Sequence, residues 1–417
     1  MRFDLLIKGG HVIDPAAGYD GRLDVGIRRG LITAVEQDLP SADAVEVIDA
    51  SDEYVTPGLI DLHTHVYRGV GYFGIDADSV AWRSGVTTWV DAGSSGAFTI
   101  PGFREFIVEP ATARILAFIA ISYIGMPGLN YDEYAHIETC NLEVLRRAVD
   151  ANRDLIVGIK VRMGTARSGV HGLEPLRRAR EAADELAIPM MVHIATAPPA
   201  VDEILVLLRR GDIVTHCFTG QTERLVDDDG RVLEAARQAR ERGVLFDLGH
   251  GSGSFSWDSA EALVRQELWA DVISSDLHQM SLPGQNLLEP LKQEIVARVT
   301  GDGTPQFMLP TAMSKLLHLG MPLTEVIRAT TTTPASVINM QGQIGTLLPG
   351  ARGDVATFAL DQGTYRLYDI HGVHRTANRM LRNTRTFKDG RLLPQRPIPA
   401  PPPWIRLVDR EGTKAQA

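Results

Sequence analysis

The sequence predicts an α/β protein: a (β/α)8 TIM-like barrel with a small β-sandwich domain built from both chain termini. Three observations predict it. Apolar, β-rich segments alternate with helical patterns through the middle of the chain, short β-like runs without helical period occupy both ends, and ligand-type side chains recur where predicted strands finish.

Residues 3–9, 23–28, 31–36 and 45–49 are short β-like runs separated by Gly, Asp and Pro signals, and they form the opening sheet. Similar runs return at 354–360 and 384–393, after the turn-rich Leu348-Pro349-Gly350-Ala351-Arg352-Gly353 stretch. The two sets are expected to pair as one domain, 1–56 plus 345–395. Between them lies the barrel, 57–344. Its strands are expected near 58–62, 86–91, 115–122, 155–161, 189–194, 212–216, 244–248 and 271–275, the pattern of parallel strands joined by right-handed crossovers. Helices are expected at 174–187, where Leu176, Ala179, Ala183 and Leu186 line one face behind Pro175, and at 231–242, 312–319 and 324–338. The proline-rich end, 396–417, reads as an extended arm without its own core.

Composition excludes several classes. The 417 residues are 44% hydrophobic and 23% charged, as in an ordinary soluble enzyme, and they suffice for one barrel with an appendage. A net charge of -10 without a Lys/Arg cluster argues against nucleic acid or an anionic membrane as the main partner, leaving a small molecule. The opening residues are too short an apolar run for a signal peptide, and no window approaches a membrane span. Cys140 and Cys217 cannot build a disulfide framework, so a cytoplasmic location is expected. Association into a homo-oligomer is also expected.

The chemistry begins in Pro57-Gly58-Leu59-Ile60-Asp61-Leu62-His63-Thr64-His65, where the two histidines are two apart on a predicted strand and so face the same side. A lone His-x-His is a weak signal. Here, however, Lys160 lies inside the apolar run Val157–Val161, His193 and His216 each follow apolar runs, and Asp276 follows Asp271–Ser275. Strand ends in such barrels converge on one site. Imidazole and carboxylate suit zinc and related divalent ions, and four histidines with one aspartate would supply two adjacent ions if an anionic oxygen bridged them. A lysine ammonium cannot do that, whereas a neutral amine carbamylated by CO2 could, which would explain a lysine in a strand interior.

The run Val55–His65, followed in order by Lys160, His193, His216 and Asp276 and closed by Gly353-Asp354-Val355-Ala356, resembles the binuclear amidohydrolases, the branch that holds dihydroorotases, dihydropyrimidinases and related deacylases. The resemblance implies that His63 and His65 with Asp276 hold a buried ion, that His193 and His216 hold a more exposed one, and that carbamylated Lys160 bridges them. It also implies attack on an acyl carbonyl by water activated between the ions, with Asp276 as the catalytic proton acceptor and donor.

The substrate is less defined. Dihydroorotases usually carry an arginine two residues after His-x-His, whereas this chain has Tyr67 there and Arg68 one place on, a shift that turns a strand side chain to the opposite face. Arg162, two beyond Lys160, and His278, two beyond Asp276, are candidates to receive a substrate carboxylate; a surface ion pair and a turn cap are the plainer readings. Tyr123, Arg68 and His250, the last among the glycines of 249–253, are further binding candidates. The lysine strand and the Ser275–His278 stretch look like a bacterial subgroup, dihydroorotase-like or deacetylase, in which acetyl esters of 2-hydroxy acids such as acetyl-mandelate are hydrolysed. That resemblance favours an acetyl ester of a 2-hydroxy carboxylic acid. An N-acyl amino acid or a cyclic amide such as dihydroorotate is the alternative, and a non-catalytic scaffold the remote one.

Overall fold

The computed structural model describes residues 1–71, 73–128, 133–165, 169–282 and 306–400; most of the arm, 401–417, therefore lies outside the described residues. The opening third of the chain's β structure comprises β1 (Phe3–Asp14), β2 (Tyr19–Arg28), β3 (Leu31–Glu36), β4 (Ala44–Asp49) and β5 (Tyr54–Pro57). The parallel strands follow: β6 (Leu59–Thr64), β7 (Val86–Ala92), β8 (Arg114–Ala120), β9 (Ile156–Arg162), β10 (Met190–His193), β11 (Ile213–Thr215) and β12 (Leu245–Asp247). The last are β13 (Val355–Tyr368), β14 (His374–Lys388) and β15 (Arg391–Leu392).

Both termini do share a sheet. Its order is β15-β14-β13-β5-β1-β2-β3 with β4 beside β1, and the two ends of the chain meet where β13 runs antiparallel to β5, Val355 opposite Pro57. Hydrogen bonds connect all eight strands into one sheet, where a two-sheet sandwich was expected. Leu5, Ile7, Val25, Ile27, Val355 and Phe387 pack in one buried cluster on it, and Phe3, Leu6, Ala34, Leu39 and Ala44 in another. Asp354 ties this sheet to the next layer: its carboxylate accepts from Arg114 of β8 at 2.7 Å, and its carbonyl from the Gly58 N–H at 2.8 Å. β13 and β14 run well beyond the expected segments and form a long hairpin whose end reaches the parallel layer, where Trp257 Nε1–H donates to the Leu367 carbonyl at 3.0 Å.

The parallel sheet runs in sequence order from β6 to β12, as alternating strand and helix demand. Segment 271–277, which contains the expected eighth strand 271–275, is irregular, yet it bonds to both edges of the sheet. Leu248 N–H donates to the Val272 carbonyl and His250 N–H to that of Ser274 on one side; Asp276 N–H donates to the His63 carbonyl and His65 N–H to that of Leu277 on the other. The irregularity has a local cause, since Asp276 sits at φ +46°, outside any extended backbone.

The helix at Glu174–Leu186 buries Leu176, Ala179, Ala183 and Leu186 as the periodicity predicts. Glu234–Glu241 and Leu309–His318 also fall where expected. The expected helix 324–338 is two, Leu323–Thr330 and Thr332–Val337. Thr330 and Thr331 hydroxyls donate back to the Val326 and Ile327 carbonyls, and this competition with the backbone accompanies the break. The start of the arm is docked: Arg396 Nη1 donates to Asp78 at 3.0 Å, and its carbonyl accepts from Trp82 Nε1–H.

Candidate metal centre

Alternation along β6 points Asp61, His63 and His65 to one side, and all three are buried. Lys160 on β9, His193 at the end of β10, His216 just after β11 and Asp276 after the irregular segment meet these histidines around one cavity of about 280 Å3 at the C-terminal ends of the strands. His63 Nε2 and His65 Nε2 lie 3.4 and 3.2 Å from Asp276 Oδ1. Lys160 Nζ is 3.0 Å from His63 Nε2, and the His193 and His216 rings stand edge to face at 4.5 Å. All six residues expected as ligands are therefore brought together.

The donor set fits a cation. Thr215 Oγ1–H donates to Asp247 at 2.6 Å, so its oxygen accepts from His63 Nδ1–H at 2.8 Å. His216 Nδ1–H donates to the Gly249 carbonyl at 2.6 Å. Each tautomer thus leaves Nε2 with its lone pair, as metal-binding histidines require. His65 Nδ1 lies 2.9 Å from Ser94 Oγ. Among the described residues, His63, His216 and Asp276 offer ligand atoms all within 4.8 Å of one another. Burial, with the neighbouring Lys160 adding to it, holds His63 and His65 well below the usual imidazole range, and burial brings His216 down to about 4. Neutral imidazole is the ligating form. Burial also pushes the Lys160 amine down to about 7, which favours the uncharged nitrogen.

Two of the non-glycine residues at positive φ stand here. His216 and Asp276 both occupy positive φ, +69° and +46°, which non-glycine residues adopt at a cost met by the surrounding bonds. Two glycines make the room. A Cβ on Gly251 would lie 2.5 Å from Asp276 Oδ2, and one on Gly93 2.7 Å from Lys160 Cγ.

The substrate candidates divide. Arg162 and His278 line the cavity. Arg162 is a buried ion-pair member, Nη1 to Glu133 Oε2 at 2.8 Å, rather than a surface one. The His278 ring stacks on Phe73 at 4.2 Å, its Nε2 is 3.3 Å from Ser252 Oγ, and burial lowers it to about 4. The other three candidates stand elsewhere. Arg68 is exposed, because the chain has left β6 and turned back through the bridge from Arg68 to Gly71. Tyr123 stacks on Phe98 at 4.3 Å outside the cavity wall. His250 is buried behind the wall, its Nε2 against Lys315 and its ring against Phe255. The glycines around His250 do mark a close approach, but it is that of Gly251 to Asp276.

Several residues that support the site were not singled out in the sequence. Asp61 accepts from Ser275 N–H at 2.9 Å and so fixes the residue before Asp276. Asp91 accepts from Val66 N–H and Ser94 N–H, shaping the turn that faces His65. Asp247 lies behind His63. Asp61 had a legible signal, the period of two it shares with His63 and His65; Asp91 and Asp247 had only their position at strand ends.

Parallel strands whose C-terminal ends bring four imidazoles, a lysine and a carboxylate to one cavity define a hydrolase of the metal-dependent kind. The chain belongs to the amidohydrolases: the profile described as Amidohydrolase family matches residues 54–393. A protein of Brucella anthropi named Deacetylase is 35% identical over 84% of this chain and 82% of its own length. One of Enterococcus faecalis, also named Deacetylase, is 32% identical over 94% and 99%. Among solved structures, an adenine deaminase is similar at 30% identity with a TM-score of 0.83, covering 94% of this chain and 99% of its own. A dihydroorotase is similar at 31% and 0.82, covering 95% and 99%.

Proposed function

We propose that this chain is a deacylase that hydrolyses the acetyl ester of a 2-hydroxy carboxylic acid, with two divalent ions, zinc by ligand preference, held by His63, His65, Lys160, His193, His216 and Asp276. Segment 271–277 is read as the eighth strand that closes a (β/α)8 barrel around them. The observation that carries the reading is the juxtaposition of this ligand cluster with a buried arginine, Arg162, on the wall of the same cavity. The relatives named Deacetylase, which span most of the chain, support it as well.

Bound ions would supply a lowered water pKa and a polarised acyl carbonyl. The chain's own residues do the rest. Asp276 Oδ1, between His63 and His65, accepts the attacking water's proton and returns it to the departing alkoxide oxygen. Lys160, its amine favoured uncharged by burial, adds to CO2 with loss of a proton and becomes an anionic carbamate. Arg162, steadied by Glu133, and His278, steadied by Phe73, orient the substrate carboxylate. A substrate seated this way presents its acyl group to the ligand cluster.

The amide reading stands beside it, favoured by the similarity to a solved dihydroorotase. The deciding experiment offers zinc-loaded protein an O-acetyl 2-hydroxy acid, the N-acetyl amino acid with the same side chain, and dihydroorotate. Faster ester hydrolysis is expected. Preference for either amide transfers the same residues to amide cleavage, and a chain that holds no ion tightly overturns both readings.

A further inference from the structure

Lys315 has no part in the chemistry above, yet it is fully buried on the helix Leu309–His318. Its Nζ donates to His250 Nε2 at 2.7 Å and to the Tyr368 carbonyl. Aromatic rings surround it: Phe255 at 4.7 Å, Trp257 and Phe307 each at 5.9 Å. A buried amine is costly unless paired, and two acceptors with three π faces meet that cost.

The partner histidine touches the metal centre from behind. His250 Nδ1–H donates to the Gly251 carbonyl at 2.9 Å, and its ring stacks on Phe255 at 4.8 Å. On one side Gly249 holds His216 Nδ1 through its carbonyl; on the other, Gly251 packs against the Asp276 carboxylate. The turn 249–251 therefore sets two expected ligands, both at positive φ, and Lys315 is what grips that turn. The same amine grips Tyr368, at the end of the hairpin that β13 and β14 send from the terminal sheet.

We propose that Lys315 is a positioning residue: through His250 it fixes the 249–251 turn, and with it His216 and Asp276, so that seating of the terminal-sheet hairpin against the parallel layer is felt at the metal centre. The inference rests on the reading that His216 and Asp276 hold metal.

Its test is Co2+ titration of the metal-stripped chain, with affinity measured by competition against a chromophoric chelator and geometry by the visible Co2+ bands. Lys315→Met and His250→Phe, the latter keeping the stack while removing both ring nitrogens, should each loosen Co2+ by about tenfold or more and alter the bands. The double variant should be no worse than the poorer single one, because the two act as a unit. Ser314→Ala, on the same helix, loses the bond from Leu381 N–H and should bind Co2+ as the wild type does. Wild-type affinity and bands in Lys315→Met overturn the proposal; if that variant does not fold, the same result in His250→Phe does so. Equal loosening in Ser314→Ala also overturns it, by reducing the effect to lost stability. A wild-type chain that binds no Co2+ overturns the metal reading and this inference together.

Discussion

At the N-terminal ends of β10, β11 and β12 lies a cleft of about 540 Å3, bordered by Arg180, Asp184, Arg209 and Asp212; the cavity at the C-terminal ends is about 280 Å3. The larger opening has the plainer chemistry. Its carboxylates face guanidinium groups, Asp212 with Arg180 and Asp184 with Arg180 and Arg209. Asp212 also accepts from the Met190 and Arg209 N–H groups, so it stitches one strand start to the next. In the smaller cavity Asp276 faces imidazoles, its backbone is strained, and glycines give way to it. Size does not separate the two ends. What separates them is whether a buried charge is neutralised by a permanent cation or left to groups that can bind an ion or move a proton.

The contrast can be broken most decisively at Asp276. Asp276→Asn should lower turnover on the order of a thousandfold, the scale of a lost general base, while metal content by elemental analysis stays near that of the wild type. Retained turnover would place Asp276 with Asp212 as a structural carboxylate. A smaller effect tests the glycines. Gly251→Ala drives a methyl into the Asp276 carboxylate at φ +54° and should weaken metal binding by about tenfold or more. Gly253→Ala meets nothing within 4 Å and should leave binding unchanged. Arg162→Gln, combined with Glu133→Gln so that no carboxylate is buried alone, should raise KM for the acid substrate by about tenfold. KM for its neutral methyl ester should not move. Least of all should activity respond at the other end. Asp212→Asn should leave kcat intact and lower stability by about 1–3 kcal/mol as its bonds to Arg180, Met190 and Arg209 are lost, read by denaturant unfolding; a fall in kcat would erase the distinction between the ends.

The cluster at the candidate metal centre was legible because each member ends or interrupts an apolar run, and a strand's period of two fixes which side it faces. His63 with His65, then Lys160, His193 and His216, needed only that rule and the convergence of strand ends. Asp276 was legible by position, although its segment is no regular strand: the left-handed backbone that aims the carboxylate also breaks the extended conformation. The binding candidates fared unevenly. Arg162 reaches the wall because it stands two residues beyond Lys160 on β9, and His278 lines it although a left-handed Asp276 precedes it, whereas Arg68 and Tyr123 lie past turns where that periodicity no longer holds.

The sequence alone therefore determined the alternating architecture, the pairing of strands from both ends, expected as a sandwich and found as one sheet, and the six residues that meet at the candidate metal centre, since these follow from local periodicity and from where apolar runs stop. Only the tertiary structure decided which polar groups pair across the chain. It turned His250 away from the cavity to Lys315, set Glu133 on Arg162, and placed Thr215 and Asp247 behind His63. Each choice depends on atoms brought together from distant positions, and the need to satisfy a buried polar group, which selects among them, has no period along a sequence.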